Sequence, residues 1–143
     1  MSNERETYRS VELSRMGQGR YKATNVRGGV LPIGGGDDPD FTPVELLLAA
    51  IGGCGAIDVD LITGRRAQPE SFVVRTEGDK VRDEDGNHMT NLRVTFDITF
   101  PAGEDGDRAR AVLDDAIAKS RDRLCTVSRT VSLGSPVEMT SGR

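Results

Sequence analysis

The sequence predicts an α+β fold with antiparallel sheets. Three observations lead to this prediction: short alternating segments near the start, a long apolar helix after residue 42, and an alternating hairpin followed by an amphipathic helix. Strands and helices that come in separate runs favour α+β over a parallel, strictly alternating α/β sheet. The 143 residues fit one domain, 1–143, and are enough to bury a hydrophobic core without disulfides.

The first part of the chain predicts two strands. Thr7 and the following YRSVELSR alternate weakly, MGQG is typical of a turn, and Arg20 to Val26 read as the second strand. The segment GGVLPIGGGDDPD contains a short apolar run and then a Gly/Asp/Pro cluster that predicts a loop.

The first long helix has a clear start. Thr42 suits the N-cap, Pro43 suits the first helical position, and Glu45 stands at the capping-box spacing. We predict a helix from Pro43 to about Thr63. Its first half, residues 46–51, is apolar nearly all round, which predicts burial on every side by a sheet and by a second subunit.

A hairpin is predicted next. SFVVRTEG alternates moderately, and residues 92–100 alternate strictly between apolar and polar side chains, as a half-buried strand does. Asp85-Gly86 between them is a hairpin turn signal.

The last third predicts an amphipathic helix from about Asp107 to Asp122. One or two helical turns starting near Cys125 follow, and a last strand is expected around Pro136 to Thr140.

Composition excludes several classes of protein. A net charge of -4 argues against nucleic-acid binding, which usually needs a basic face. We expect no membrane association, because no stretch approaches 18 consecutive apolar residues, and no export, because the start MSNERETYRS has no apolar signal segment. This predicts a cytoplasmic protein with reduced thiols. Two cysteines and one histidine are too few for a closed structural zinc site.

Both cysteines stand in unusual local contexts. Cys54 lies among Gly52, Gly53 and Gly55, each of which costs a helix roughly 1 kcal/mol relative to alanine. Without side chains, these glycines should let another backbone pack close there, or a small molecule approach the thiol. Cys125 would begin a short helix, whose free N–H groups favour a thiolate. The alternative is that both cysteines are inert, small core residues.

Two segments resemble one known family. TPVELLLAAIGGCGAIDVD is similar to the central helix of the OsmC/Ohr superfamily, and AKSRDRLCTVSRTV resembles that family's second cysteine segment. The order of elements agrees from about Tyr8 to Met139. The resemblance implies an intertwined homodimer, in which antiparallel sheets wrap around central buried helices.

The resemblance also implies a thiol peroxidase without a bound cofactor or metal ion. By it, Cys54 attacks an organic hydroperoxide and becomes a sulfenic acid, Cys125 closes a disulfide with it, and a dithiol reduces the pair. Glu45 and Arg15, with Arg20 as the alternative to Arg15, would support the Cys54 thiolate.

Some residues depart from the peroxidase pattern. Val44 stands directly after the proline, where the peroxidases carry their glutamate, and Cys-Thr-Val replaces Cys-Pro-Val. The form GGCGAID resembles a less characterised OsmC-like branch. These departures motivate a second hypothesis, a non-catalytic OsmC-like protein that binds a small ligand or senses redox state.

Overall fold

A computed structural model describes residues 4–142 and has the predicted α+β class, with two antiparallel sheets. The chain divides into two compact units, one ending at Leu47 and the other beginning at Leu48. Each unit is described in turn.

The first unit contains a small sheet. After a short helix α1 (Glu4–Thr7), the strands β1 (Glu12–Gly17), β2 (Arg20–Thr24) and β3 (Val30–Ile33) pair antiparallel in the order β1-β2-β3. The two predicted strands are confirmed with shifted ends.

Strand β3 was not predicted. The apolar run that precedes the Gly/Asp/Pro cluster pairs with β2, with Leu31 opposite Ala23. Four residues that contain a proline carry almost no periodic signal, so only the neighbouring strand defines β3.

Helix α2 (Pro43–Thr63) has the predicted bounds, but it is not buried on all sides within one chain. Its buried residues lie along one face: Ile51, Gly52, Gly55, Val59 and Thr63. On the opposite side Ile57 is 63% exposed and Leu61 is 65% exposed. One chain therefore covers a single face of this helix.

The sequence predicted no membrane-spanning stretch. By length and composition, α2, with a mean hydropathy of 1.8, is the one helix within residues 4–142 that could cross a membrane, a test that the core helix of a globular protein also passes. Its face of buried glycine, valine and threonine also suits the core helix of a globular domain.

The second unit contains the predicted hairpin. Strands β4 (Ser71–Asp83) and β5 (Gly86–Thr99) pair antiparallel, with Val74 opposite Phe96 and the turn between Asp83 and Gly86. The strict alternation of β5 is confirmed, because its apolar residues are the less exposed ones.

Three helical segments follow: α3 (Glu104–Lys119), a π-helical segment (Ser120–Leu124) and α4 (Thr126–Leu133). The predicted helix thus starts three residues early and changes to π geometry before its predicted end. The predicted last strand is wrong for the described chain, since residues 136–140 form no strand there and are exposed. A strand needs a partner, and none of the described strands pairs with this segment.

Candidate functional site

Cys54 lies in the middle of α2, where glycines allow neighbouring elements to come close. A Cβ atom on Gly52 would meet Thr76 Oγ1 of β4 at 2.1 Å. A Cβ atom on Gly55 would meet Phe96 Cζ of β5 at 3.2 Å. The prediction of close packing at these glycines is confirmed, although the groups that approach are side chains of the hairpin rather than another backbone.

Cys125 is the N-cap of α4, as the sequence predicted. Its sulfur accepts a hydrogen bond from the Ser128 backbone N–H at 3.4 Å, and its thiol donates to Ser128 Oγ at 3.1 Å. The side chain is 1% exposed. Helix capping and burial therefore fix the position of this sulfur.

The π segment leads the chain into Cys125. The Cys125 backbone N–H donates to the Ser120 carbonyl at 2.8 Å, the wider hydrogen bond that defines a π turn. Such turns are rare and often occur at functional sites. Here the π turn, which has one residue more than an α-helical turn, places Ser120 and Cys125 on the same side, facing α2.

The two sulfur atoms and a carboxylate converge. Cys54 Sγ, Cys125 Sγ and an Asp58 carboxylate oxygen all lie within 4.8 Å of one another. Asp58 is one helical turn after Cys54 and so shares its face of α2. Ser120 Oγ, itself buried, donates a 2.9 Å hydrogen bond to Asp58 Oδ2.

These neighbours change the acidity of Cys54. Burial is the largest effect and raises the pKa of the Cys54 thiol above its ordinary value. The backbone N–H of Val127 lowers this pKa by a hydrogen bond, while Cys125 and the negative charge of Asp58 raise it further. Within the described part of the chain, none of the groups that act on this thiol is a cation, and the net shift of its pKa is upward.

The other predicted site residues lie in the first unit. Glu45 Oε1 accepts a hydrogen bond from the Thr42 N–H at 2.9 Å, and the Glu45 N–H donates to Thr42 Oγ1 at 3.2 Å. This is the reciprocal capping box that the sequence predicted.

The two candidate arginines differ in their surroundings. Arg15 lies on β1 with an exposed side chain. Arg20 is bound by two carboxylates of the Gly/Asp/Pro loop, forming one ion pair with Asp38 and another with Asp40 at 3.0 Å. Its charge is therefore already neutralised within its own unit.

A cavity of about 340 Å³ lies beside the cluster. Ser120 and Ser128, which contact Asp58 and Cys125, form part of its wall. The apolar part of the wall comes from α2, β5, α3 and α4: Ile51, Leu92, Val94, Phe96, Ile117 and Val131. It suits a small ligand with an apolar body.

Sequence reasoning found both cysteines but missed Asp58, Ser120 and Ser128. Spacing in the sequence could have identified Asp58 and Ser128. Asp58 shares a helix face with Cys54 by its spacing. Ser128 has the N-cap-to-N3 spacing from Cys125. The role of Ser120 depends on a π turn, which no sequence pattern predicts.

Comparisons with known proteins agree with this architecture. A family model described as "OsmC-like protein" matches residues 34–140. No curated protein matches the chain at significant similarity.

Solved structures share the fold at low sequence identity. A hypothetical protein from Aquifex aeolicus VF5 has a TM-score of 0.71 at 20% identity, over 90% of this chain and 89% of that chain. An OsmC-like protein from Mycoplasma pneumoniae has a TM-score of 0.69 at 13% identity, over 87% of each chain. An organic hydroperoxide resistance protein OsmC from Legionella pneumophila has a TM-score of 0.53 at 16% identity, over 85% of this chain and 88% of that chain.

Proposed function

The chain belongs to the OsmC-like protein family, and on that premise we propose that it is a thiol-dependent peroxidase that reduces organic hydroperoxides. One observation carries the proposal: two free thiols, Cys54 and Cys125, lie with their sulfurs within 4.8 Å. A disulfide needs about 2.05 Å between sulfurs, a distance that side-chain rotation and a small backbone movement supply.

Exposure distinguishes the roles of the two cysteines. Cys54 is half-buried, whereas Cys125 is buried. A peroxide therefore reaches Cys54 first, and Cys125 acts as the resolving thiol. The sulfur of Cys125 also accepts a hydrogen bond from the Ser128 N–H, which helps to hold it beside Cys54.

The reaction has three steps. The Cys54 thiolate attacks the terminal oxygen of the hydroperoxide, the O–O bond breaks, and the leaving alkoxide takes a proton to become an alcohol. The Cys125 thiol then attacks the sulfenic acid of Cys54, which forms the disulfide and releases water. A dithiol reductant finally exchanges with the disulfide, returns both thiols and becomes oxidised itself. No cofactor enters these steps.

The Cys54 thiolate needs a cation, because burial and Asp58 raise the pKa of this thiol. We propose that Arg15 supplies this charge and that Glu45 orients it. Arg20 is the weaker alternative, since Asp38 and Asp40 already bind it.

We further propose that the protein is a homodimer of single-domain chains. Ile57 and Leu61 form an exposed apolar strip on α2, and large apolar side chains such as Val73 on β4 are also exposed. A second copy that covers this strip makes α2 the central buried helix that the sequence predicted. Reduced thiols and the need for a dithiol fit a cytoplasmic location.

The cysteine variants test the reaction. With cumene hydroperoxide and a dithiol, Cys54→Ser should abolish turnover. Cys125→Ser should still allow a single turnover, in which one equivalent of peroxide is consumed and a sulfenic acid is trapped. Wild-type activity in both variants would rule out the proposal.

The cavity favours a second candidate, a non-catalytic protein that binds a small apolar ligand or senses redox state. The upward shift of the Cys54 pKa also fits this candidate, since an unsupported thiol reacts slowly with peroxides. Ligand binding that survives Cys54→Ala, together with no peroxide turnover in the wild type, would select it.

A further inference from the structure

We propose that the reduced protein binds one divalent transition-metal ion of the zinc type through Cys54 Sγ, Asp58 and Cys125 Sγ. The three ligand atoms already lie within 4.8 Å of one another. Zinc at about 2.3 Å from sulfur and about 2.0–2.2 Å from oxygen places its ligands roughly 3.5–3.8 Å apart. Small side-chain rotations therefore close the site.

The donor set selects the metal. Thiolate sulfur favours zinc over magnesium or calcium, which prefer oxygen alone. Three protein ligands leave a fourth tetrahedral position for water, as in open zinc sites rather than closed structural ones. The small number of cysteines and histidines excludes only a closed structural zinc site, whereas an open site can also use the Asp58 carboxylate.

Each ligand atom has a hydrogen-bond donor behind it. Ser120 Oγ donates to Asp58, the Ser128 N–H donates to Cys125, and the Val127 N–H acts on Cys54. Metal ligands in proteins are usually oriented by such partners. Two of these donors are backbone N–H groups in the first turn of α4, and the third is the Ser120 hydroxyl in the π segment, so all three ligands are oriented before any ion binds.

The electrostatics of the cluster also call for a cation. Cys54, Asp58 and Cys125 can each carry a negative charge, and their ligand atoms lie within 4.8 Å of one another. A divalent ion offsets the repulsion among these charges by binding all three groups directly. Binding one ion to the two thiols releases two protons, so affinity should increase with pH.

Metal binding and disulfide formation exclude each other, because both use the same two sulfurs. If the proposed peroxidase reaction occurs, then oxidation of the metal-bound pair by a hydroperoxide consumes two protons and yields the disulfide, an alcohol, water and the free ion. The ion would thus protect the resting thiols and leave upon oxidation. This last step rests on the proposed function, whereas metal binding itself does not.

Metal titration of the reduced, metal-free protein tests the site. Co²⁺ should bind at one ion per chain with sulfur-to-cobalt charge-transfer absorption in the near ultraviolet, and Zn²⁺ should displace it. This absorption should weaken in Cys54→Ser and in Cys125→Ser, and the protein oxidised to its disulfide should bind no Co²⁺. Absence of thiolate absorption in the reduced wild type would overturn the inference.

Asp58 distinguishes this site from an incidental pair of thiols. Asp58→Asn should lower Zn²⁺ affinity on the order of tenfold or more, and Ser120→Ala should lower it by roughly tenfold through loss of the orienting hydrogen bond. Asp60→Asn is the matched control, since Asp60 is an exposed carboxylate on the same helix. Equal Zn²⁺ affinity in Asp58→Asn, Ser120→Ala and Asp60→Asn would refute the proposed ligand set.

The two proposals can fail separately. Peroxide turnover is assayed in excess chelator, so it reports on the thiols without metal. Turnover without Co²⁺ binding refutes the metal site and leaves the peroxidase. Co²⁺ binding without turnover leaves the metal site and refutes the peroxidase.

Discussion

Ser120 Oγ donates a 2.9 Å hydrogen bond to Asp58 Oδ2, which joins the π segment to α2 one turn after Cys54. Both partners belong to the second unit, and the serine is 3% exposed. This bond fixes the carboxylate beside the two sulfurs and links the geometry of the cysteine cluster to the irregular turn before Cys125.

Removing this hydroxyl should destabilise the fold. Ser120→Ala leaves the Asp58 carboxylate without its donor, and hydrogen bonds to charged groups contribute about 1.5–3 kcal/mol. We expect the free energy of unfolding, measured by urea denaturation, to fall by about that amount. Ser132→Ala, an exposed serine on α4, is the control and should change it by less than about 0.5 kcal/mol. Equal effects of the two variants would contradict the importance of the bond.

The glycines around Cys54 should differ in their tolerance of alanine. A Cβ on Gly52 meets Thr76 Oγ1 at 2.1 Å, whereas a Cβ on Gly53 meets nothing within 4 Å. Gly53→Ala should stabilise the helix by up to about 1 kcal/mol. Gly52→Ala should destabilise the protein by about 1–3 kcal/mol through overpacking, and Thr76→Ala in the same chain should restore much of the loss. Urea denaturation measures the stability of Gly53→Ala, Gly52→Ala and the double variant. A stabilising effect of Gly52→Ala would show that β4 moves aside for the added methyl group at little cost.

Local signals predicted α2 and the hairpin because each is specified by nearby residues. Thr42 and Glu45 define the helix start through their own hydrogen bonds, and strict alternation in residues 92–100 defines β5. Strand β3 and the π segment depend on tertiary pairing, which local sequence does not encode.

For the candidate site, too, the sequence indicated local features but not the tertiary arrangement. Each cysteine was identified from its local context, but their approach depends on how α2 packs against the segment before α4. Spacing places Asp58 on the same helix face as Cys54, but its hydrogen bond with Ser120 depends on tertiary packing.

The exposed face of α2 should mediate dimer formation. Leu61 is 65% exposed, and a lysine there would place a charge in the proposed apolar interface. Leu61→Lys should therefore shift the protein from dimer to monomer or lower its solubility, as sedimentation velocity will show. Asp60→Lys, which changes an exposed neighbour that is already polar, should leave the dimer intact. An unchanged dimer in Leu61→Lys would place the interface elsewhere.

Two substitutions of Glu45 separate its structural and catalytic roles. Glutamine preserves the capping box with Thr42 while removing the charge, whereas alanine removes both. Glu45→Ala should cost about 0.3–1.5 kcal/mol of stability, and Glu45→Gln should cost little. If the Glu45 carboxylate orients Arg15, both variants should lower peroxide turnover. Full turnover in Glu45→Gln would restrict this residue to capping.

The reactivity of Cys54 should respond to Asp58 in a defined direction. The carboxylate raises the pKa of the Cys54 thiol, because its negative charge opposes formation of the thiolate. Neutralising it with Asp58→Asn therefore favours the thiolate and should move the midpoint of alkylation to lower pH. The measurement is the rate of iodoacetamide labelling against pH in the Cys125→Ser background, where Cys54 is the one remaining thiol. Asp60→Asn in the same background should leave the midpoint in place. A midpoint that stays fixed or rises in Asp58→Asn would mean that the carboxylate does not act on this sulfur.

The same measurement on the Cys125→Ser parent separates the two candidate functions. A midpoint of alkylation well below about 7 would indicate a cation-supported thiolate suited to peroxide chemistry, whereas one at or above about 8.5 would favour the ligand-binding candidate.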